Sequence, residues 1–426
     1  MDKRKICFWA TLMWLLTFPL WTTAQGIEQV RIEAEKDGAV FTHNNSVVLF
    51  SSGKEKFHDL FQAIHEARST IHMEYFNFRD DSIANTLFDT LALKVKQGVK
   101  VRLLYDAFGN ASNNRPITHK RLEEIRKTGI EIYEFNPLTF PWLTRIFGRD
   151  HRKIVVIDGK SAYSGGMNVA DYYIKGKPEF GGWHDIHYRI EGDAVAEYQE
   201  IFLRIWNQTT HQNIHGSELY PGLSLQENAL PHLKRDSTPT AHRKTLAVIN
   251  REPRKTPKII RHTFLNCINN AQDKILLINP YFTLNHTIAK ALKDAVRRGV
   301  DVQIMVSDKS DIPITPRIVD YQAHRMMKAG AKVYYYTGGF HHSKIMMVDG
   351  QWCFVGSANL DNRSLRCDYE VNALILDTYT TAQLEQIFIR DRDSHCFLLT
   401  PERWKDFPKG RKRAAWWWHL LLTFWV

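Results

Sequence analysis

The chain has 426 residues, 44% hydrophobic and 24% charged, enough for about two to three cored domains and unlike a disordered or fibrous chain. Its 57 Lys and Arg against 46 Asp and Glu leave a net charge of +11, which suits a phosphate-rich partner, either nucleic acid or an anionic membrane face. The five cysteines stand far apart without CxxC spacing, which argues against a Cys-based zinc site or a dense disulfide framework.

At the front, Lys3, Arg4 and Lys5 precede an uncharged stretch from Ile6 to Trp21 and the small residues Thr22-Thr23-Ala24. The run is shorter than the ~20 apolar residues of a full span, so 1–25 reads as a signal peptide or N-terminal membrane anchor. A first αβ unit is expected over 45–207. Phe57, Leu60, Phe61, Ile64 and Ala67 recur at helical spacing, and Ile71 to Phe76 reads as a strand. Ile83, Leu87, Leu91 and Val95 mark a second helix, and Val99 to Tyr105 and Ile130 to Phe135 two further strands. Residues 208–257 are rich in Thr, His, Asn, Pro and charge without clear periodicity, and read as a linker.

A second unit is expected over 258–400. It runs helix Arg261 to Asn270, strand Ile275 to Ile278, helix Thr287 to Arg298, strand Val300 to Val306, helix Arg317 to Lys328 and strand Val333 to Tyr336. The alternation predicts a mixed, largely parallel sheet with helices on its faces. In 401–426, Lys409, Arg411, Lys412 and Arg413 lead into Trp416-Trp417-Trp418 and an apolar end, the composition of a membrane-interface tail.

The two units are copies. Gly98 and Gly129 recur as Gly299 and Gly330 at an offset of 201, whereas His151, Lys153, Asp158 and Asn168 recur as His342, Lys344, Asp349 and Asn359 at an offset of 191. The ten extra residues of the first copy belong to the apolar loop Asn136 to Phe147, just before His151. Such a loop fits acyl chains entering from a bilayer.

Alternation places His151 and Lys153 on one side of a strand, and His342 and Lys344 likewise. Pseudo-twofold pairing would bring two imidazoles and two ammonium groups to one cleft. That set suits phosphoryl transfer without metal or cofactor: one imidazole attacks phosphorus, the other protonates the leaving oxygen, and the lysines hold phosphate oxygens. Asp185 and Glu370, each opening a hydrophobic strand beyond the motif, are the candidate carboxylates that orient the histidines.

With His-x-Lys-x4-Asp in both copies, each followed by a small-residue turn and Asn, the chain resembles the phospholipase D superfamily. The strings Asn279-Pro280-Tyr281-Phe282, Trp183-His184-Asp185 and Gly356-Ser357-Ala358-Asn359 narrow the resemblance to its bacterial cardiolipin synthase branch. It implies two tandem αβα sandwich repeats about a pseudo-twofold axis, with the active site between them. It also implies His151, Lys153, Asp158, His342, Lys344 and Asp349 as the catalytic set, with His151 as nucleophile and His342 as acid/base. Asp158 and Asp349, each five residues past its lysine and followed by Gly, are expected to organise loops rather than touch substrate.

By the same resemblance Asn168 and Asn359 bind phosphoryl oxygens. The implied partners are phosphatidylglycerol and an anionic bacterial membrane, which the protein meets peripherally or through its N-terminus; an export signal would put the catalytic part outside the cytoplasm. Hydrolysis by a phospholipase D, or a secreted phosphodiesterase or nuclease of the superfamily, are the competing activities. The apolar loop and Trp tail count against a nucleic-acid partner.

Overall fold

The computed structural model describes residues 26–139, 146–221 and 233–422. The first half carries β1 (Phe41–Phe50), β2 (Thr70–Tyr75), β3 (Lys100–Asp106), β4 (Glu131–Phe135), β5 (Lys153–Ile157), β6 (Ser161–Gly165), β7 (Gly182–His184) and β8 (His187–Gly192). The second carries β9 (Lys244–Arg251), β10 (Lys274–Ile278), β11 (Asp301–Ser307), β12 (Lys332–Tyr336), β13 (Gly339–His341), β14 (Ile345–Val348), β15 (Trp352–Gly356), β16 (Glu370–Leu376) and β17 (Cys396–Leu398). Fifteen of these strands form one sheet, in the order β17-β12-β11-β10-β14-β15-β16-β9-β1-β8-β6-β5-β2-β3-β4. Outward from the antiparallel β1–β9 seam, each sheet strand of the first half has its counterpart in the second, which adds β17 at its outer edge, as a duplicated unit gives when its copies pair edge to edge.

The sheet is mixed but not largely parallel. Only β2-β3-β4 and β10-β11-β12 run parallel, because only there do helices (Ser82–Lys96, His119–Lys127, His286–Arg297, Thr315–Lys328) supply the long crossovers that parallel neighbours need. The motif strands instead turn back at once. Asp158 and Gly159 have φ of +52° and +63°, Asp349 and Gly350 +54° and +69°. Lys160 N donates to Ile157 O and Gln351 N to Val348 O, both at 2.9 Å. Paired positive φ under such a bond marks the type I′ hairpin that Asp-Gly favours, and it makes β5–β6 and β14–β15 antiparallel.

Helices cover both faces. Val155 and Ile157 of β5 pack with the helices Gly53–Glu66 and Ser82–Lys96, while Ile154 and Val156 join Tyr198 and Ile201 of the helix Val195–Thr210. Ile345 and Met347 of β14 enter that second cluster, so the repeats share one core face. Since β5 is apolar on both sides, hydrophobic pattern alone cannot set its register. The turn sets it. Asp158 accepts the backbone N–H groups of Arg68, Ser69 and Thr70 at 2.7 to 2.9 Å, and Asp349 those of Gln272, Asp273 and Lys274 at 2.8 to 2.9 Å, pinning each hairpin to the start of β2 or β10.

The expected linker 208–257 contains β9, a central strand between β1 and β16. Its charged ends hid it. Lys244 is fully buried, with Nζ 2.8 Å from Asp377 Oδ2, and Arg251 is buried with its guanidinium on the Asp368 carbonyl, so partners satisfy charges that a strand pattern would exclude.

Candidate active site

Two short cross-repeat pairings bring the histidines together. Tyr369 N donates to Arg149 O at 2.8 Å and His151 N to Tyr369 O at 3.0 Å. The residue after Tyr369 is Glu370, whose two oxygens meet His151 Nδ1 at 3.0 and 3.1 Å. In the other half β13 lies parallel to β7, and His342 N donates to His184 O at 2.6 Å. The next residue, Asp185, meets His342 Nδ1 at 2.7 Å. Each histidine therefore takes its carboxylate from the opposite repeat at Nδ1. Both acids were legible as candidates; their crossed pairing was not, because it depends on contacts roughly 160 and 220 residues apart in sequence.

Lys153 and Lys344 are buried beneath the rings, each donating to the carbonyl of its own motif histidine. Lys344 Nζ also lies 2.9 and 3.0 Å from the two ring nitrogens of His342. Burial pulls Lys153 down to about 7 and Lys344 to about 8, against the carboxylates of Glu370 and Asp185. It also lowers both histidines, His342 further than His151. For Glu370 burial works upward, but His151, Lys153 and the Ser357 hydroxyl outweigh it and hold the carboxyl at about 2. Asp185, with weaker compensation, is raised by burial to about 6.

The rings face a cleft of about 610 Å³ between the repeats. Asn168 and Asn359 line it, both buried, and neither Oδ1 finds a protein hydrogen-bond partner. Asp158 and Asp349 do not reach it. Each lies at the far end of its motif strand, about 17 Å from its lysine at ~3.3 Å per residue, so these two members of the expected catalytic set stand outside the cleft, with their carboxylates on the start of β2 and β10.

Sequence reasoning assigned no role to two cations in the wall, Lys177 and Arg363. Lys177 Nζ stands 4.6 to 5.8 Å from the ring centroids of Tyr172, Trp183 and Phe180, and Arg363 Nε bonds Asp368 Oδ2 at 2.6 Å. The dense aromatics around Lys177 were the available signal.

With this geometry in hand, the family model described as "Cardiolipin synthase, PLD-like domain" matches residues 60–206 and 264–392, one stretch per repeat. The chain belongs to this family. Curated cardiolipin synthases from Oceanobacillus iheyensis (33% identical over 362 residues, 85% of this chain and 72% of that one) and Listeria monocytogenes (33% over 386 residues, 89% and 74%) are similar to it. So is "Cardiolipin synthase 2" of Staphylococcus epidermidis, 35% identical over 367 residues, 85% and 71%. Among solved structures, phosphatidylserine synthase of Haemophilus influenzae superposes with a TM-score of 0.70 at 16% identity, covering 92% of this chain and 99% of that one. At that identity it speaks for the fold alone.

The cardiolipin synthase family implies phospholipid substrates and membrane association. Among the described residues no helix is long and apolar enough to cross a membrane. The expected leader, 1–25, and the middle of the apolar loop, 140–145, lie outside the described residues; the loop's flanks, Leu138 and Phe147, are exposed. The tail forms the helix Lys409–Leu422, packed on the helix Thr315–Lys328 through stacked Tyr321 and His419 rings, 3.9 Å apart. Arg411, expected to face lipid phosphate, is instead paired with Asp320 at 2.7 Å and Asp308 at 3.2 Å. Trp416, Trp417 and Leu420 point outward, each about half exposed.

Proposed function

We propose that the cleft transfers a phosphatidyl group from one phosphatidylglycerol to another. His151 Nε2 attacks phosphorus; the N–P bond forms as the P–O bond to the headgroup glycerol breaks, and His342 gives the leaving oxygen its proton. A hydroxyl of a second phosphatidylglycerol then loses its proton to His342 and attacks phosphorus, and the N–P bond breaks. Cardiolipin and glycerol are the products, and one ester is exchanged for another without an external energy source. The crossed His151–Glu370 pair carries the reading. The attacking imidazole gains positive charge as its bond to phosphorus forms, and an ionised carboxylate touching Nδ1 with both oxygens stabilises that charge. Lys153 and Lys344 supply positive charge beneath the phosphoryl oxygens, with Asn168 and Asn359 as their amide partners.

An anionic bilayer rich in phosphatidylglycerol is the expected partner surface. Purified full chain should convert headgroup-labelled phosphatidylglycerol in vesicles to free glycerol and cardiolipin in equal amounts, half of the reacted label leaving as glycerol and half staying in cardiolipin. Phosphatidic acid in place of cardiolipin would assign the cleft to hydrolysis instead.

A further inference from the structure

Beside the catalytic cleft, three side chains with no part in the transfer converge. His184, His341 and Asp391 each offer a ligand atom, all within 4.8 Å of one another. His341 Nε2 lies 3.2 Å and His184 Nδ1 3.8 Å from the same oxygen, Asp391 Oδ2. Ligands ~2.0–2.2 Å from a tetrahedral ion stand roughly 3.3–3.6 Å apart, so small side-chain shifts would close this trio on one. The other Asp391 oxygen is held by Arg390 Nε at 3.1 Å, which fixes the carboxylate's rotation and leaves Oδ2 turned to both imidazoles. His341 is 1% exposed, and its Nδ1 finds no hydrogen-bond partner in the protein. The His184 side chain is one-third exposed, leaving an entry path and a solvent-facing fourth position.

We propose that His184, His341 and Asp391 bind one divalent transition-metal ion, Zn²⁺ by donor chemistry, as a clip between the repeats. Two imidazoles and a carboxylate are the mixed N/O set that suits Zn²⁺, whereas Mg²⁺ and Ca²⁺ take oxygen ligands. His184 ends β7 of the first repeat; His341 ends β13, and Asp391 lies in the helix Thr378–His395, both of the second. The ion thus joins the same two strands whose next residues are Asp185 and His342. It braces that ribbon and touches no reacting atom, so it stands apart from the transfer chemistry proposed above.

The test needs no turnover. Full chain stripped with chelator and titrated with ZnCl₂ in a calorimeter should bind one equivalent, and a hundredfold excess over Kd should raise Tm by about 3 °C. His184→Ala, at a partly exposed position, and Asp391→Asn should each weaken binding at least tenfold, whereas His58→Ala, an exposed histidine elsewhere, should not change it. Co²⁺ in place of Zn²⁺ should give the intense visible bands of a four-coordinate ion, lost in His184→Ala. Absence of tight Zn²⁺ binding by the unmutated chain, or binding that survives both His184→Ala and Asp391→Asn, would overturn the proposal. If Asp391→Asn does not fold, His184→Ala decides alone.

Discussion

The two half-sites solve one hydrogen-bonding problem differently. In each, the backbone N–H of the residue after the orienting acid needs an acceptor. In the second repeat Ser357 Oγ accepts Val371 N at 3.0 Å and donates to Glu370 Oε2, leaving both Glu370 oxygens on His151. In the first repeat Gly166 holds the matching place, and Asp185 Oδ1 itself accepts Ile186 N at 2.8 Å, leaving only Oδ2 for His342. A Cβ at 166 would come within 2.1 Å of Asp185 Oδ1, so the shorter acid occupies the space a serine would need. Acid and neighbour are matched sets. The Glu-Ser set gives a fully committed, strongly ionised carboxylate; the Asp-Gly set gives one divided between backbone and imidazole.

The largest way to separate the halves is to remove each imidazole. His151→Ala and His342→Ala should each lower kcat by about 10⁴ or more, since nucleophile and acid act as a unit. Rapid quenching with labelled phosphatidylglycerol should trap phosphatidyl-enzyme in His342→Ala alone. Label retained by His151→Ala instead would exchange the two roles.

Neutralising the acids should have a graded effect. Glu370→Gln removes the charge that both oxygens direct at His151 and should cost about 10³ in kcat. Asp185→Asn, where one oxygen already serves the backbone, should cost about 10². Equal losses would mean that the difference in hydrogen bonding carries no catalytic weight. The matched-set idea has a sharper test at Gly166. Gly166→Ser alone should displace Asp185 and lower kcat about 10²-fold, while Gly166→Ser with Asp185→Glu should recover part of that, a coupling read from the double-mutant cycle. Additive losses would show the sets to be independent.

The shared floor responds to pH. Lys153 and Lys344, lowered by burial to about 7 and 8, carry charge below those values and lose it as pH rises through them. Tungstate, as a phosphoryl mimic, should therefore bind to the resting enzyme progressively more weakly between pH 6.5 and 9, by at most roughly tenfold per unit for each proton lost. A flat inhibition constant over that window would show that both lysines stay charged.

How much of this was readable follows from range. The helix from Phe57 to Ala67 and the strand from Ile275 to Ile278 announce themselves by local period, and the structure has them as Gly53–Glu66 and Lys274–Ile278. The doubled His-x-Lys motif likewise named the cleft. The antiparallel hairpins were legible too, in Asp158-Gly159 and Asp349-Gly350, but alternation of helices and strands overshadowed turn chemistry. β9 was hidden because Lys244 and Arg251 are strand residues only when Asp377 and the Asp368 carbonyl are in place. Arg411 shows the same limit: beside Lys409, Lys412 and Arg413 it reads as one more surface cation, until the fold sets Asp320 and Asp308 against it.

The smallest expected effect concerns that tail. Arg411 is committed to the protein, so electrostatic attraction to an anionic surface falls to the remaining cations at about 1 kcal/mol each, while Trp416, Trp417 and Leu420 offer the apolar contact. Aromatic rings held outward on a helix that is itself anchored by Tyr321 and Arg411 need no reordering to enter the headgroup layer. A Trp416→Ser, Trp417→Ser, Leu420→Ser variant should therefore stay folded, because it leaves Ala415, His419 and Arg411 in their contacts, yet lose several-fold in co-sedimentation with phosphatidylglycerol vesicles. Arg411→Ala should do the opposite, lowering Tm without weakening vesicle binding beyond the loss of one charge. If the Trp variant sediments like the parent chain, the outward rings are not the membrane contact, and the apolar loop before His151 becomes the surface that meets lipid.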